Sequence, residues 1–363
     1  MKSLTIPVRA GAPRRTYRIT IAQDLTADLA AHLESLRKGS RAILVSSPKV
    51  WELHGPRLAA GLPETPCVLI PDGERAKRLR TVNLLFDRLV SLNTDRQTTL
   101  VVAGGGVLGD LAGFAAASYL RGIPLVHVPT TVVAQVDSAI GGKVGVNHPL
   151  GKNLIGAFYP PAAVLTDPQF LTTLSAREFR AGLYEVIKYG VIDSPSLFER
   201  LESTLPAILS RDPRALLPII AACSRIKARV VSADEHETGE RRILNFGHTA
   251  GHALEAITEY RRFRHGEAVG HGMLAATAIA TTRGLLSKSH SKRIVTLIEQ
   301  TGTLPALNDL SAAACVDATK RDKKVVRGTL HFVLPSAIGR TKIVPDVTPR
   351  ELTKALRDLG MRA

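Results

Sequence analysis

Residues 98–120, TTLVVAGGGVLGDLAGFAAASYL, read as a buried strand, a glycine turn and a helix. Gly104, Gly106 and Gly109 fit G-x-G-x-x-G in that setting. Glycine at such a turn lets the backbone close on a pyrophosphate, and the helix start behind it offers free N–H groups and a positive dipole end. The context predicts a nucleotide site, although tight packing of strand against helix would use the same turn without a ligand. Two features depart from the ordinary dinucleotide pattern. The turn comes about a hundred residues into the chain, and no Asp or Glu stands about 20 residues beyond it, where the stretch is LVHVPTT. Asp110, in the first helical turn, is either a favourable charge at a helix start or a polar contact to the nucleotide.

Outward from the turn, short runs rich in Val, Ile and Leu recur at RAILVSS (from Arg41), PCVLI (from Pro66) and PLVHVPT (from Pro124). Helical stretches lie between them, such as RLRTVNLLFDRLVSL, with apolar residues three and four apart. This alternation predicts a parallel sheet with helices on both faces. Beyond about Asp167 amphipathic helices dominate: ALLPIIAACSRIKARVVSA, GHTAGHALEAITEY, GEAVGHGMLAATAIATT and KRIVTLIEQT. A late strand pair is expected in GTLHFVLPSAIG and TKIVPDV, and Thr348, Pro349 and Glu351 spell a capping box that opens the last helix. The boundary falls within YPPAAVLTDPQF, which predicts an α/β nucleotide-binding domain over residues 1–165 and a mostly α-helical domain over 166–363.

A chain of 363 residues fits two domains of ordinary size. With 45% hydrophobic and 22% charged residues and a mean hydropathy of +0.07, the composition excludes a disordered, collagenous or coiled-coil chain. No uncharged apolar run reaches the ~18 residues of a membrane span, and the first residues lack the apolar stretch of a secretory signal. Cys67, Cys223 and Cys315 are isolated thiols that suit neither a disulfide framework nor a metal knuckle, so the cytoplasm is the expected compartment. The net charge of +16 admits a nucleic acid, a small anionic substrate in a basic cleft, or a general Arg and Lys bias. The densest basic cluster, Lys320, Arg321, Lys323, Lys324 and Arg327, is short, contains Asp322 and has no interleaved aromatics, which argues against nucleic acid.

Two further segments carry chemistry. In VPTTVVAQVDSAIGGKVGVNHPLGKNLIGAFYP, Thr130, Thr131, Asp137, Lys143, Asn147, Lys152 and Asn153 crowd a short span rich in glycine. A long solvated loop would read the same way, but loops of this length are often functional, and two lysines amid glycines suit a phosphate or carboxylate. In the second, Glu185 and Lys188 share a helix face in GLYEVIKYG, and His248 and His252 share one in NFGHTAGHALE. His265 follows in FRHGEAVGHGM, with Glu267 and His271 nearby. Two imidazoles and one carboxylate make a catalytic zinc set with positions left for water or substrate. Thr249 follows His248, so the pattern is not His-Glu-x-x-His and a protease would lack its general base. Spacing leaves open whether His248 or His252 is the ligand.

In this order, GGGVLGD after a strand, VPTTVVAQVDSAIGGKVGVN, GKNLIGAFYPP, EVIKYG, LNFGHTAGHALE and HGEAVGHGM closely resemble the 3-dehydroquinate synthase family, over nearly the whole chain. The resemblance implies a Rossmann-like α/β domain followed by an α-helical one, a bound NAD, one divalent metal ion (zinc or cobalt) and a homodimer. It implies metal ligation by Glu185, His248 and His265. It places NAD contacts at Asp72, Glu74, Lys77, Gly105, Gly106, Val107, Asp110, Thr130, Thr131, Lys143, Lys152, Phe170 and Thr173. Its substrate site maps to Asp137, Lys143, Lys152, Asn153, Lys188, Lys227, Arg241, Asn245 and His252. Arg121 in YLRG matches an arginine supplied across a dimer interface, and Lys323 or Lys324 matches a late lysine.

The implied reaction converts 3-deoxy-D-arabino-heptulosonate 7-phosphate to 3-dehydroquinate and phosphate, a step of the shikimate pathway in which NAD takes and returns a hydride. Lys143, Asn153, Lys188, His252 and Arg121 are expected around the phosphate, and Lys152, Lys227 and Arg241 on the carboxylate and hydroxyls. His252 and Asn245 are expected in proton relay, and Asp137 in orienting a hydroxyl or water near the metal. The sequence departs from the family where Ser47 replaces an acid at the adenosine end of NAD, where Tyr184 precedes Glu185, and at His271. Two other enzyme classes share parts of the pattern: a metal-dependent NAD polyol or alcohol dehydrogenase, and the sugar-phosphate cyclases of natural-product pathways. Neither accounts for the GGKVGVN and GKN blocks together.

Overall fold

The computed structural model describes residues 16–237, 239–320, 325–326 and 329–363. Its first half alternates β1 (Arg18–Ile21), α1 (Leu29–Leu36), β2 (Ala42–Ser46), α2 (Pro48–Gly61), β3 (Cys67–Leu69), α3 (Leu79–Ser91), β4 (Thr99–Gly104), α4 (Gly106–Ser118) and β5 (Leu125–Pro129). A hairpin of β6 (Lys143–His148) and β7 (Gly151–Phe158) follows, and β8 (Ala163–Thr166) returns to the sheet. Strands β1-β8-β5-β4-β2-β3, in that spatial order, form one parallel sheet. Its two faces follow from side-chain alternation. Ile43, Val45, Leu100 and Val102 pack with Val82, Leu85 and Leu111 on one side, while Leu44, Val101, Ala103 and Val126 pack with Leu29, Leu58 and Phe170 on the other. Burial on both sides is why these strands read as continuous apolar runs.

The chain direction across the sheet reverses between β2 and β4, and the glycine turn leaves β4 at that point. Ligand crevices in open parallel sheets lie at such switch points, beyond the carboxyl ends of the strands. The edge strand β1 and its neighbour β8 escaped the sequence reading. Each is four residues long, and they pair with each other from Arg18↔Ala163 to Ile21↔Thr166, β8 also pairing with β5. The polar segment after β5 is no open loop. It turns through a helical stretch at Ala134–Ser138 and then forms the antiparallel hairpin, whose Val146 joins the core between sheet and α4.

The second half packs α5 (Ala176–Ile192), α6 (Pro195–Leu209), α7 (Pro213–Ala233), α8 (His248–Ile257), α9 (His265–Thr282), α10 (Lys288–Thr301) and α11 (Ala312–Thr319) around one core. Short strands β9 (Val325–Val326) and β10 (Thr329–Leu330) precede the expected antiparallel pair β11 (Phe332–Ala337) and β12 (Arg340–Val344). The last helix, α12 (Pro349–Asp358), opens with both hydrogen bonds of the capping box read at Thr348 and Glu351. Two sequence departures have packing roles: Tyr184 Oη donates to Gly302 O at 2.9 Å, and His271 Nε2 lies 2.8 Å from Pro305 O. Among the described residues, no helix is long and apolar enough to cross a membrane.

Candidate active site

The glycine turn builds one wall. Helix α4 starts at Gly106 without a side-chain cap, so its first N–H groups remain available to an anion. A Cβ at Gly106 would stand 2.7 Å from Ser138 Oγ, a buried hydroxyl with no hydrogen-bond partner. Gly105 and Val107 flank that residue. Thr130 and Thr131 lie alongside: Thr130 N donates to Gly104 O at 3.0 Å, and Thr131 Oγ1 accepts from Ala134 N at 3.2 Å. Lys77 Nζ reaches Asp110 Oδ2 and Asn153 Oδ1, and burial pushes the Asp110 carboxyl upward. Asn147 links this group to Glu74, donating from Nδ2 to Glu74 Oε1 at 2.6 Å and accepting from Asn153 N at 2.8 Å. Asp72 opens the same segment and accepts from Gly73 N. Phe170 and Thr173 meet α2, where His54 sits edge-on to Phe170 and contacts Thr173 Oγ1 at 2.8 Å. Ser47 is the N-cap of α2, its hydroxyl accepting from Val50 N.

The opposite wall comes from three helices. Glu185 sits in mid-α5, and His248 and His265 are the first residues of α8 and α9. Glu185 Oε1 lies 3.5 Å from His248 Nε2 and 3.4 Å from His265 Nε2. Both imidazoles turn Nδ1 the other way, to Phe246 O and to Glu255 Oε2, each at 3.1 Å. A carbonyl and a carboxylate only accept, so each Nδ1 carries a hydrogen, which leaves Nε2, the atom facing Glu185, as the one that could ligate an ion. Donors of a tetrahedral zinc, with bonds of ~2.0–2.1 Å, stand about 3.3–3.4 Å apart. The three side chains therefore fit a metal ion. The Glu185 carboxylate is 1% exposed; Oε2 pairs with Lys188 and Oε1 faces the two imidazoles. His252 stands one turn along α8, its ring 5.5 Å from that of His248, and belongs to an overlapping group with Glu255 and His265.

Between the walls runs a chain of opposed charges. Lys188, 1% exposed, contacts Glu185 and donates to Asp137 Oδ2 at 2.9 Å; Lys227 of α7 pairs with Asp137 Oδ1. Burial works against all three charges. The two ammonium groups nevertheless hold the Asp137 carboxyl well below its ordinary value, Asp137 and Glu185 keep Lys188 above its own, and Lys227 is lowered. Buried Arg241 reaches Glu235 O and lies 3.4 Å from Gly141 O. Lys143 pairs with Glu237, which also accepts from Asn245 Nδ2 at 2.6 Å. Lys152 Nζ lies 3.2 Å from Glu255 Oε1, 3.6 Å from Glu74 Oε1 and 4.1 Å from the Tyr260 ring centroid.

Residues 67–181 match the family description 3-dehydroquinate synthase N-terminal, and residues 182–325 match 3-dehydroquinate synthase C-terminal. The chain belongs to the 3-dehydroquinate synthase family. A 3-dehydroquinate synthase of Koribacter versatilis (strain Ellin345) is 44% identical over 359 residues, 98% of this chain and 97% of that protein. Among solved structures, 2-epi-5-epi-valiolone synthase from Streptomyces hygroscopicus subsp. jinggangensis, with NAD+ and Zn2+ bound, superposes with a TM-score of 0.88 at 31% identity, covering 97% of this chain and 99% of that one. A 2-deoxy-scyllo-inosose synthase complexed with carbaglucose-6-phosphate, NAD+ and Co2+ gives 0.82 at 28% identity, covering 94% and 96%.

Not every residue mapped from the 3-dehydroquinate synthase family joins the cleft. Arg121 is exposed beyond the far end of α4, about 20 Å along a 13-residue helix from the glycine turn. Lys323 and Lys324 lie outside the described residues. The structure adds Glu237 and Glu255, which the sequence reading did not single out. For Glu255 a signal exists: with His248 and His252 it falls at i, i+4 and i+7, one face of α8. Glu237 carries none, because it sits between helices where spacing says nothing about direction.

Proposed function

We propose that this chain carries out the 3-dehydroquinate synthase reaction, turning 3-deoxy-D-arabino-heptulosonate 7-phosphate into 3-dehydroquinate and phosphate. The observation that carries this reading is the convergence of Glu185, His248 and His265, joined through Lys188 to Asp137 and Lys227. A bound NAD would supply the acceptor and donor of the hydride at carbon 5, and a bound zinc or cobalt ion would supply a Lewis acid for that carbon's hydroxyl. We assign the holding of that ion to Glu185, His248 and His265. The NAD contacts we assign to Asp72, Glu74, Lys77, the 105–107 turn, Asp110, Thr130, Thr131, Lys143, Lys152, Phe170 and Thr173.

The chain's own part is orientation and charge. Lys143, Asn153, Lys188 and His252 are assigned to the phosphate, and Lys152, Lys227 and Arg241 to the carboxylate and hydroxyls. Asp137 keeps the ammonium groups of Lys188 and Lys227 in place and orients a substrate hydroxyl. His252 and Asn245 pass protons. Residues 1–165 supply the nucleotide wall and 166–363 the metal and most substrate contacts. A homodimer completes the site through Arg121 of the partner subunit, and the cytoplasm is the compartment that suits three free thiols.

Incubating metal-replete protein with the heptulosonate phosphate and trace NAD tests the reading. Inorganic phosphate should appear in excess over NAD with no lasting NADH. Absence of phosphate release overturns the proposal, as does steady NADH accumulation with a simple polyol in its place.

A further inference from the structure

Glu255 is almost fully buried near the end of α8, yet its two oxygens are both engaged and face different partners. Oε2 meets His265 Nδ1 at 3.1 Å, and Oε1 meets Lys152 Nζ at 3.2 Å. The other ring nitrogen of His265 is the one that faces Glu185, at 3.4 Å. An imidazole held in this way can present only Nε2 to an ion, and a carboxylate behind it raises its basicity as a ligand. His248 has an uncharged counterpart, the carbonyl of Phe246. The two imidazoles are thus braced unequally, one by a carbonyl and one by a charge that also grips the β6–β7 hairpin.

We propose that Glu255 is a positioning residue: it locks His265 in the tautomer and orientation that ligate the metal, and its second oxygen ties that imidazole to Lys152 on the hairpin. This rests on the metal assignment made above. Glu255 is not itself a ligand in this arrangement, although it also lies within a group with His252 and His265 that could hold an ion. The two roles make opposite predictions for His252.

Zinc affinity of the full-length protein, measured by competition with a chromogenic chelator, separates them. Glu255→Ala should weaken zinc binding about 10–100-fold. Glu255→Gln, which keeps an acceptor but no charge, should fall between it and the parent. The cobalt-loaded Glu255→Gln protein should keep the parent's visible absorption bands, since the ligand set is unchanged. His252→Ala and Lys152→Met should leave zinc affinity within about twofold, whereas His265→Ala should abolish it. Melting of each metal-free variant reports whether it folds, and Glu255→Gln serves if Glu255→Ala does not. Unchanged zinc affinity in both Glu255 variants overturns the inference. So does a collapse in Glu255→Ala matched by His252→Ala, which would make Glu255 a ligand. Zinc affinity indifferent to His265→Ala would instead remove the metal assignment itself.

Discussion

Lys77 Nζ lies 2.5 Å from Asp110 Oδ2 across 33 residues of sequence, and the same ammonium donates to Asn153 Oδ1 at 2.6 Å. One cation thus joins the segment after β3, the second turn of α4 (which begins at Gly106, one turn before Asp110) and the hairpin. Removing a partner from a buried pair costs ~3–5 kcal/mol when both are enclosed, and less here because the Asp110 side chain is 22% exposed. Lys77→Met should lower the melting temperature and weaken NAD binding by calorimetry. Adding Asp110→Asn should cost less than the sum of the two single changes. Strict additivity would show that the pair is not coupled.

A second prediction concerns the contact that sets the distance between α9 and α5. A Cβ on Gly266 would stand 1.7 Å from Ala181 O, and His265 immediately precedes it. Backbone cannot yield there without moving the start of α9 away from the helix that carries Glu185. Gly266→Ala should destabilise by ~1–3 kcal/mol or more and weaken zinc binding in the same protein. Denaturant melts and chelator competition read the two effects, and an unchanged melt would contradict the packing described.

Acid stability provides a third. Hydrogen bonding to Arg283, aided by Thr348 N and Oγ1 donating to Oε2, holds Glu351 down to about 2 from its ordinary 4.5. A carboxyl lowered on folding stabilises the protein above its unfolded pKa and loses that contribution as pH falls toward the folded one. The loss therefore lies between about pH 4.5 and 2. Glu351→Gln should flatten this part of the urea midpoint against pH, and Thr348→Ala should cost about 1 kcal/mol at neutral pH. A parent and Glu351→Gln profile of identical acid slope would contradict the assignment.

The fourth tests the shared site. If Arg121 serves the neighbouring subunit's cleft, Arg121→Ala and His265→Ala should each be inactive, yet unfolded and refolded together they should recover activity. In each mixed dimer one cleft then has both residues. No recovery in a mixture shown to contain mixed dimers would place Arg121 in its own subunit's cleft, and an active Arg121→Ala protein would place it outside catalysis.

Much of the site was readable in residue order because its signals are local. A doubly buried strand must be continuously apolar, and a backbone that closes on phosphate must be glycine, so residues 98–120 declare their fold without a partner. The Thr348 cap was equally legible, since both of its hydrogen bonds close within one turn. Long-range packing made the remaining choices. His248 and His252 occupy the same face of one helix, so spacing treats them alike; only the placement of α5 against α8 and α9 brings His248 to Glu185 at 3.5 Å. Strand β1 exists through its pairing with β8, a segment more than a hundred residues away. Glu255 acquires its two partners the same way, Lys152 lying 103 positions earlier. Periodicity along a chain encodes which face a residue occupies, but the group it meets there is chosen by whichever distant element packs against that face.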